Sequence, residues 1–231
     1  MILPSVKQEL KLAKENHIII GVDEVGRGPL AGPVVASAAW VHPKYFKKDF
    51  KLKNCIRDSK TLSEKQRNEV FDFLEKEKGF KFGIGKVTPK TIDRINILNA
   101  SLLAMRLAVE DLIPKLQKNI PLSQRGNKGV LNLDDTIILI DGNKIVPGLN
   151  YAQKYIIKGD QKIFSIATAS IYAKVFRDNL MLDYHKQFPA YGFNTHKGYG
   201  TEKHMKALQK NGACEIHRKS FRPVKRVSNI T

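Results

Sequence analysis

The chain has 231 residues, of which 42% are hydrophobic, so it can bury a full core in one or two domains. Its 40 Lys and Arg residues outnumber 22 Asp and Glu residues and give a net charge of +18, which favours a polyanionic partner, with nucleic acid ahead of a membrane surface. No apolar run approaches the roughly 18 residues of a membrane-spanning helix, and no signal core or basic amphipathic helix with an aromatic face is found, so we expect a cytoplasmic protein.

The first elements predicted along the chain are a short helix over residues 5–15 and an apolar strand over residues 17–23. This strand ends on two adjacent carboxylates, Asp23 and Glu24, and the turn Gly26-Arg27-Gly28 follows at once. Carboxylates at the end of a buried strand lose solvation unless a positive charge compensates them, and a divalent metal is the usual compensation. A glycine-arginine-glycine turn beside such a metal suits a phosphate chain.

The two adjacent acids pose a geometric problem, because successive side chains of a strand point to opposite faces. Asp23 and Glu24 cannot both reach one site from a regular strand. We therefore expect the strand to end there, with Gly26 allowing the chain to turn. Glu24 would then reach back with its side chain or supply its carbonyl oxygen.

The middle of the chain predicts two more strands and two helices. Residues 32–41 and 80–88 read as strands, and the S-x-x-Q pattern of Ser63 and Gln66 predicts a capped helix that runs to about residue 78. The longest helix begins at Thr88-Pro89. Its buried face is predicted from apolar residues spaced by three and four: Ile95, Leu98, Leu102, Met105, Val109 and Leu112.

The last third of the chain contributes further acids. Residues 119–133 read as a surface loop, and the strand TIILID that follows delivers Asp141 at its C-terminal end. A helix from Ser165 to about residue 188 carries Ser170, Lys174 and Asp178 at four-residue spacing, which places them on one face. One short helix over residues 201–211 and a basic tail complete the prediction.

Positive charge is concentrated in two segments. Residues 42–60 hold seven Lys and Arg residues against two acids, and residues 197–231 hold nine against two. Either segment alone fits a solvated surface, but beside a carboxylate cluster both favour nucleic acid. Cys55 and Cys214 have no metal-like spacing, so neither a disulfide framework nor a zinc site is indicated.

Several of these residues have ordinary structural explanations. An Asp at a strand end is often a turn former, and a helix-face Asp beside a Lys, as Asp178 beside Lys174, is often a simple ion pair. Only Asp23, Glu24 and Asp141 favour a metal site on their own pattern. Residues interpreted as turn formers or as structural or substrate-contact groups are Asp134, Asp135, Asp160, His196, His204 and His217.

Six ordered motifs resemble bacterial ribonuclease HII: GVDEVGRGPLAGPV, DSKTLSEKQR, LIDGN, SIYAKVFRD, YGFNTHKGYGT and HRKSFRPV. The resemblance covers roughly residues 17–225. The departures are Val25, where the family usually has alanine, and a longer loop at residues 119–133. The resemblance implies an α/β fold, a ribonuclease H-like mixed β-sheet flanked by helices over residues 1–188, with a basic C-terminal helical extension over residues 189–231.

The resemblance also implies a reaction and a set of residues. The active site would have four carboxylates, Asp23, Glu24, Asp141 and Asp178, holding two Mg²⁺ or Mn²⁺ ions about 4 Å apart. The enzyme would cut RNA–DNA hybrids, and duplex DNA 5′ to an embedded ribonucleotide, leaving a 3′-hydroxyl and a 5′-phosphate. Gly26, Arg27 and Gly28 would read the 2′-hydroxyl and adjacent phosphates, Tyr199 would stack at the ribose-to-deoxyribose junction, and the phosphate contacts would be Lys60, Lys158, Lys174 and Lys197.

Two alternatives remain open on the sequence. One is a non-catalytic basic nucleic-acid-binding protein, against which the intact acids argue. The other is a ribonuclease H of type HIII with hybrid-only preference, which would carry a large N-terminal domain and typically a lysine in place of Arg27. Only about sixteen residues precede the first strand here. Protein partners are not indicated, and a monomer is the default expectation.

Overall fold

The computed structural model describes residues 3–14, 18–47, 49–50, 52–119 and 135–228. Five strands form one sheet: β1 (Ile18–Val25), β2 (Val34–Val41), β3 (Phe80–Val87), β4 (Thr136–Asp141) and β5 (Ala152–Ile156). The helices are α1 (Lys7–Lys14), α2 (Lys44–Lys47), α3 (Glu64–Lys76), α4 (Pro89–Asn119), α5 (Gly159–Lys162), α6 (Phe164–Gln187), α7 (Phe193–His196), α8 (Glu202–Asn211) and α9 (Arg222–Ser228).

The sheet is mixed, with strand order β3-β2-β1-β4-β5. β2 is antiparallel to both β1 and β3, whereas β1, β4 and β5 are parallel. Parallel neighbours bring their carboxyl ends to the same edge of a sheet. The predicted α/β fold, a mixed sheet flanked by helices, is confirmed.

One long helix covers each face of the sheet. Apolar residues of α4 pack with even-numbered residues of β1, including Ile20 and Val22, and apolar residues of α6 pack with Ile19 on the other face. The approach of α4 to β3 is very close, because a Cβ on Gly85 would lie 1.8 Å from the carbonyl oxygen of Ala104. Two apolar cores therefore hold the sheet between the helices.

The long helix differs from its prediction at one end. Met105, Val109 and Leu112 are buried as predicted, but Leu98 is 37% exposed. The helix is broken at Asn96, whose φ of 64° and ψ of 165° are not helical. Leu98 therefore lies in the first turn after the break, and Ile95 lies before it, so one continuous helical spacing does not describe this end of the helix.

The predicted cap of α3 is confirmed. The Ser63 hydroxyl accepts a hydrogen bond from the Gln66 amide (3.2 Å), and the Gln66 side chain accepts one from the Ser63 amide (3.0 Å). The predicted loop at residues 119–133 begins at the last residue of α4, and its remainder lies outside the described residues.

The C-terminal region contains more structure than predicted. Beyond α8, the basic tail forms a further helix, α9. Strand β5, earlier in the chain, is also absent from the sequence prediction, because most of its residues are exposed. Leu30 donates to the Gly198 carbonyl oxygen (2.8 Å) and accepts from the Arg218 amide (2.8 Å). The extension is thereby fixed to the segment that follows β1. Among the described helices, none has the length and apolar character needed to cross a membrane.

Candidate active site

The cavity at the carboxyl ends of β1 and β4 has a volume of about 340 Å³. Its acids are Asp23, Glu24, Asp141 and Asp160. The rest of its lining is formed by Val25, Gly26, Arg27, Gly28, Ser59, Lys60, Ser170, Lys174 and Tyr199.

Strand register brings Asp23 and Asp141 together. The last paired residues of the two parallel strands are Val22 and Ile140, so the two aspartates are the next position on each strand. Val22 and Ile140 pack in the core on the α4 face, and side chains alternate along a strand, so both aspartates point to the α6 face. Asp23 is buried, and the hydroxyl of Ser170 on α6 hydrogen-bonds to it.

Glu24 lies in the same cavity, but not for the predicted reason. The strand does not end at Asp23; β1 continues to Val25, and Glu24 still pairs with Ala36 of β2. On its other side β1 has lost β4 as a neighbour after Val22. Glu24 is therefore at the open end of the sheet, where a side chain from the opposite face can still line the cavity.

Burial, followed by mutual repulsion, dominates the electrostatics of these acids. The pKa of Asp23 is raised well above its ordinary value by burial, and then by the charges of Glu24 and Asp141. Burial raises the pKa of Glu24 to about 7, although Arg27 opposes this shift. Arg27 Nη1 lies 3.1 Å from Glu24 Oε1, and its side chain is half exposed. Arg27 therefore compensates the charge of Glu24 only in part.

Asp160 is a cavity residue that the sequence interpretation left out as a turn former or supporting residue. It lies on α5 and is buried, and burial, Asp141 and Asp58 raise its pKa, whereas Lys60 lowers it. The preceding Gly159 amide donates to Asp141 Oδ1 (2.6 Å). The signal in the sequence was weak, because a lone acid after a glycine also fits a simple turn.

Asp178, predicted to be the fourth active-site acid, does not line the cavity. It is buried on α6, one turn beyond Lys174, and its Oδ1 accepts a hydrogen bond from Lys174 Nζ (2.8 Å). Lys174 does line the cavity. Asp178 is therefore placed to orient a cavity lysine, as its spacing on the helix also allowed.

The predicted phosphate-binding lysines fall into two groups. Lys60 and Lys174 line the cavity, whereas Lys158 and Lys197 do not. Lys158 is exposed at the start of α5, and Lys197 is buried, with its ammonium group donating to the Asn194 carbonyl oxygen. The backbone of Lys197 is left-handed, with φ of 49°.

The turn and the aromatic residue predicted to contact substrate do meet at the cavity. Gly26, Arg27, Gly28 and Tyr199 all line it. A Cβ built on Gly28 would lie 3.8 Å from the Tyr199 ring, and Tyr199 is 40% exposed. The ring and the turn therefore form adjacent walls of one opening.

The acid set fits hard divalent cations. Within the described ranges, no three His, Cys, Asp or Glu side chains lie close enough to form a ready-made metal centre. The cavity nevertheless combines four carboxylates. Burial, and then repulsion from neighbouring carboxylates, raises the pKa of Asp23 and of Asp160, and a cation with oxygen ligands would relieve that repulsion. Carboxylate oxygen suits both Mg²⁺ and Mn²⁺.

The mixed sheet, the helices on both faces and the acidic cavity with its basic rim define the class of ribonuclease H-like nucleases. Comparison with known proteins gives the particular family. The family model described as Ribonuclease HII matches residues 20–224. The chain belongs to the ribonuclease HII family, a family of metal-dependent endoribonucleases. This match favours type HII over the HIII alternative.

Individual proteins agree with this assignment. The chain is 46% identical to the ribonuclease HII of Clostridioides difficile, over 87% of this chain and 68% of that protein. It is 44% identical to the ribonuclease HII of Caldicellulosiruptor bescii, over 92% of this chain and 91% of that protein. The fold is similar to that of Bst ribonuclease HIII in complex with Mn²⁺, with a TM-score of 0.67 at 17% identity, over 93% of this chain and 70% of that chain.

Proposed function

We propose that this protein cuts the RNA strand of RNA–DNA hybrids and incises duplex DNA 5′ to embedded ribonucleotides, leaving a 3′-hydroxyl and a 5′-phosphate. The observation that carries the proposal is the meeting of four carboxylates with the Gly26–Gly28 turn and Tyr199 in one cavity, in a chain of the ribonuclease HII family. We expect the protein to act on this substrate in the cytoplasm. The net charge of +18 supports a nucleic-acid partner.

The cofactor we propose is a pair of Mg²⁺ or Mn²⁺ ions, held by Asp23, Glu24, Asp141 and Asp160. The fourth position goes to Asp160 rather than Asp178, because Asp160 lines the cavity and Asp178 is paired with Lys174. Bound divalent ions of this kind supply an activated water and stabilise charge on the phosphate and on the leaving oxygen. In this arrangement Asp178 acts on the reaction through Lys174.

The other cavity residues bind and orient the nucleic acid. Lys60 and Lys174 place two ammonium groups where a scissile phosphate would carry negative charge. The backbone of Gly26, Arg27 and Gly28 approaches the ribose closely, since a 2′-hydroxyl is recognised by a nearby donor or acceptor. Tyr199 stacks on the nucleotide at the junction. Lys158, outside the cavity, is available to a more distant phosphate.

Cleavage of three labelled duplexes tests the proposal. One carries a single ribonucleotide in DNA, one is a long RNA–DNA hybrid, and one is all DNA; each is incubated with the native chain, Asp141→Asn and the matched control Asp183→Asn. Asp183 is exposed on α6 and pairs with Lys186 away from the cavity. We expect native and control proteins to cut 5′ to the ribonucleotide and within the hybrid, and Asp141→Asn to cut neither.

Two other results would change this conclusion. Cleavage of the hybrid alone would retain the hydrolytic chemistry and reject the recognition of single ribonucleotides. Binding of all three duplexes without cleavage of any would instead favour the alternative, a non-catalytic nucleic-acid-binding protein.

A further inference from the structure

Two arginines are completely buried beneath the cavity turn: Arg177 on α6 and Arg218 just before α9. Burying a guanidinium is costly unless its donors are paired. In the described part of the chain, neither forms an ion pair with a carboxylate. Each donates three hydrogen bonds to backbone carbonyl oxygens instead. Their partners are therefore peptide groups, and the positions of those peptide groups determine what the arginines do.

Arg218 holds the cavity turn from behind. Its Nη2 donates to the Gly26 carbonyl oxygen (2.6 Å) and its Nη1 donates to the Arg27 carbonyl oxygen (3.0 Å). Its Nε donates to the Gly32 carbonyl oxygen (2.9 Å). In a trans peptide the C=O and the following N–H point in opposite directions. Two successive carbonyls turned inward to Arg218 therefore turn the N–H groups of Arg27 and Gly28 outward, to the side where both residues line the cavity.

These two N–H groups have no acceptor among the described residues, although the carbonyls of the same peptides are paired. A buried cation on the carbonyl side polarises each peptide and strengthens the N–H as a donor. The combination is a pair of oriented donors at an open cavity. Such a pair is complementary to a phosphate oxygen or a ribose hydroxyl.

Arg177 fixes the opposite wall relative to this pair. It donates to the carbonyl oxygens of Pro33 (3.0 Å) and Ala31 (3.2 Å), at the base of the turn, and to that of Lys197 (3.0 Å), two residues before Tyr199. Gly26 has a φ of +90°, and a Cβ there would lie 2.3 Å from Arg177 Nε. The guanidinium therefore packs directly against the turn, and only glycine leaves room for it.

We propose that Arg218 is a positioning residue that orients the Arg27 and Gly28 amides as paired donors to the ribose of the ribonucleotide, with Arg177 fixing the spacing to Tyr199. This inference rests on the proposed function, because it assigns the donors that would distinguish a ribonucleotide from DNA. Arg218→Lys is the informative change, since an ammonium keeps the charge but cannot span three carbonyls as a planar guanidinium does.

The test is steady-state cleavage of the single-ribonucleotide duplex in Mg²⁺, with unlabelled all-DNA duplex as a competitor. This assay gives KM for the ribonucleotide duplex and Ki for DNA from one preparation. We expect Arg218→Lys to raise KM about tenfold, as for two weakened hydrogen bonds, with Ki changed less than about twofold. Arg222→Lys is the matched control, because Arg222 is exposed on α9, and it should behave as native.

If Arg218 had a purely structural role, Arg218→Lys would reduce the active fraction and lower kcat while leaving KM unchanged, or it would raise KM and Ki together. Either result overturns the inference. If the native chain cuts no ribonucleotide duplex, the proposed function fails and the inference fails with it. If the native chain cuts and Arg218→Lys keeps the native KM, only the inference fails.

A second measurement uses the native chain and does not depend on the folding of a variant. With Mg²⁺ withheld, ¹⁵N-labelled protein is titrated with the ribonucleotide duplex and, separately, with the all-DNA duplex. We expect the Arg27 and Gly28 amide resonances to shift more with the ribonucleotide duplex. Equal shifts with both duplexes would overturn the inference.

Discussion

Asp23 is buried beside Glu24 and Asp141, so its ionised form is disfavoured by burial and by two negative charges. In metal-free buffer at pH 7.5 this repulsion opposes folding. We therefore expect Asp23→Asn, which removes one charge and keeps the shape, to raise the free energy of unfolding by about 1 kcal/mol while abolishing cleavage. Urea denaturation in EDTA measures the first effect. A lower free energy of unfolding for Asp23→Asn than for the native chain would contradict the charge repulsion described above.

The roles of Asp160 and Asp178 are distinguishable by single substitutions. Asp160 lines the cavity, whereas Asp178 accepts a hydrogen bond from Lys174, through which we propose that it acts. We expect Asp160→Asn to reduce kcat by at least about 100-fold. The loss for Asp178→Asn should be nearer about 10-fold, as for a residue that orients another. Steady-state kinetics on the single-ribonucleotide duplex would decide, and the reverse order of losses would return Asp178 to the metal site.

Part of the cavity was predictable from local sequence. Asp23, Glu24 and Asp141 lie at the ends of apolar strands, and their pattern alone favoured a metal site. Asp160 was not predictable in this way, because it follows β5, whose exposed residues give no strand signal. The contact of the Lys197 ammonium group with the Asn194 carbonyl oxygen, and its left-handed backbone, have no signature in the residue itself.

At the scale of elements, three buried histidines join the C-terminal extension to the cavity wall. The Tyr199 carbonyl oxygen accepts from His204 Nδ1 (2.9 Å), so His204 Nε2 accepts from His217 Nε2 (3.1 Å). His217 Nδ1 then accepts from the Cys214 amide (3.0 Å). Each of these ring nitrogens is paired only while His204 and His217 are both neutral. The His196 ring stacks on the His204 ring, with 4.4 Å between the ring centroids.

Protonation of these histidines should therefore weaken the attachment of the C-terminal extension to the cavity wall. Burial lowers the pKa of His217 from 6.5 to about 4, and also lowers the pKa of His204 and of His196. At these three histidines the folded chain binds fewer protons than the unfolded chain below pH 6.5, so their stabilisation is present above that pH and is lost as the pH falls toward 4. We expect His217→Gln to lose less stability than the native chain between pH 7.5 and pH 5, measured by urea denaturation. Parallel losses would contradict the proton linkage.

Elements were predicted well where they bury an apolar pattern and poorly where they do not. The strands β1 to β4 and the helices α3 and α6 carry strong local signals, including the capping box of α3. Strand β5 is half exposed, and α9 lies within a basic tail. The break at Asn96 arises from one residue's dihedral angles, which the spacing of its apolar neighbours does not encode.

At the scale of the whole molecule, the net charge of +18 should make nucleic-acid binding strongly salt-dependent. In EDTA, we expect the Kd for the all-DNA duplex to rise steeply between low and moderate salt. Lys60→Gln should reduce the slope of log Kd against log salt by about one, as for one lost phosphate contact. Lys186→Gln is the control, because Lys186 is exposed and pairs with Asp183 away from the cavity. An unchanged slope for Lys60→Gln would remove Lys60 from the phosphate contacts.

Whole-chain properties were the most predictable of all. The ordered motifs extend over most of the chain, and the family match over residues 20–224 agrees with them. Charge excess is a property of composition and needs no knowledge of the fold. By contrast, the cavity depends on contacts between distant segments, such as Arg218 with Gly26, which no local pattern reports.

The central claim is that the carboxylate cavity performs metal-dependent cleavage of the RNA strand. Its most direct test is a time course of an RNA–DNA hybrid, labelled on the RNA strand, with EDTA-treated native protein and Asp141→Asn, each with and without added Mg²⁺. We predict cleavage only by the native protein with Mg²⁺. Cleavage in EDTA, or by Asp141→Asn at the native rate, would contradict the claim.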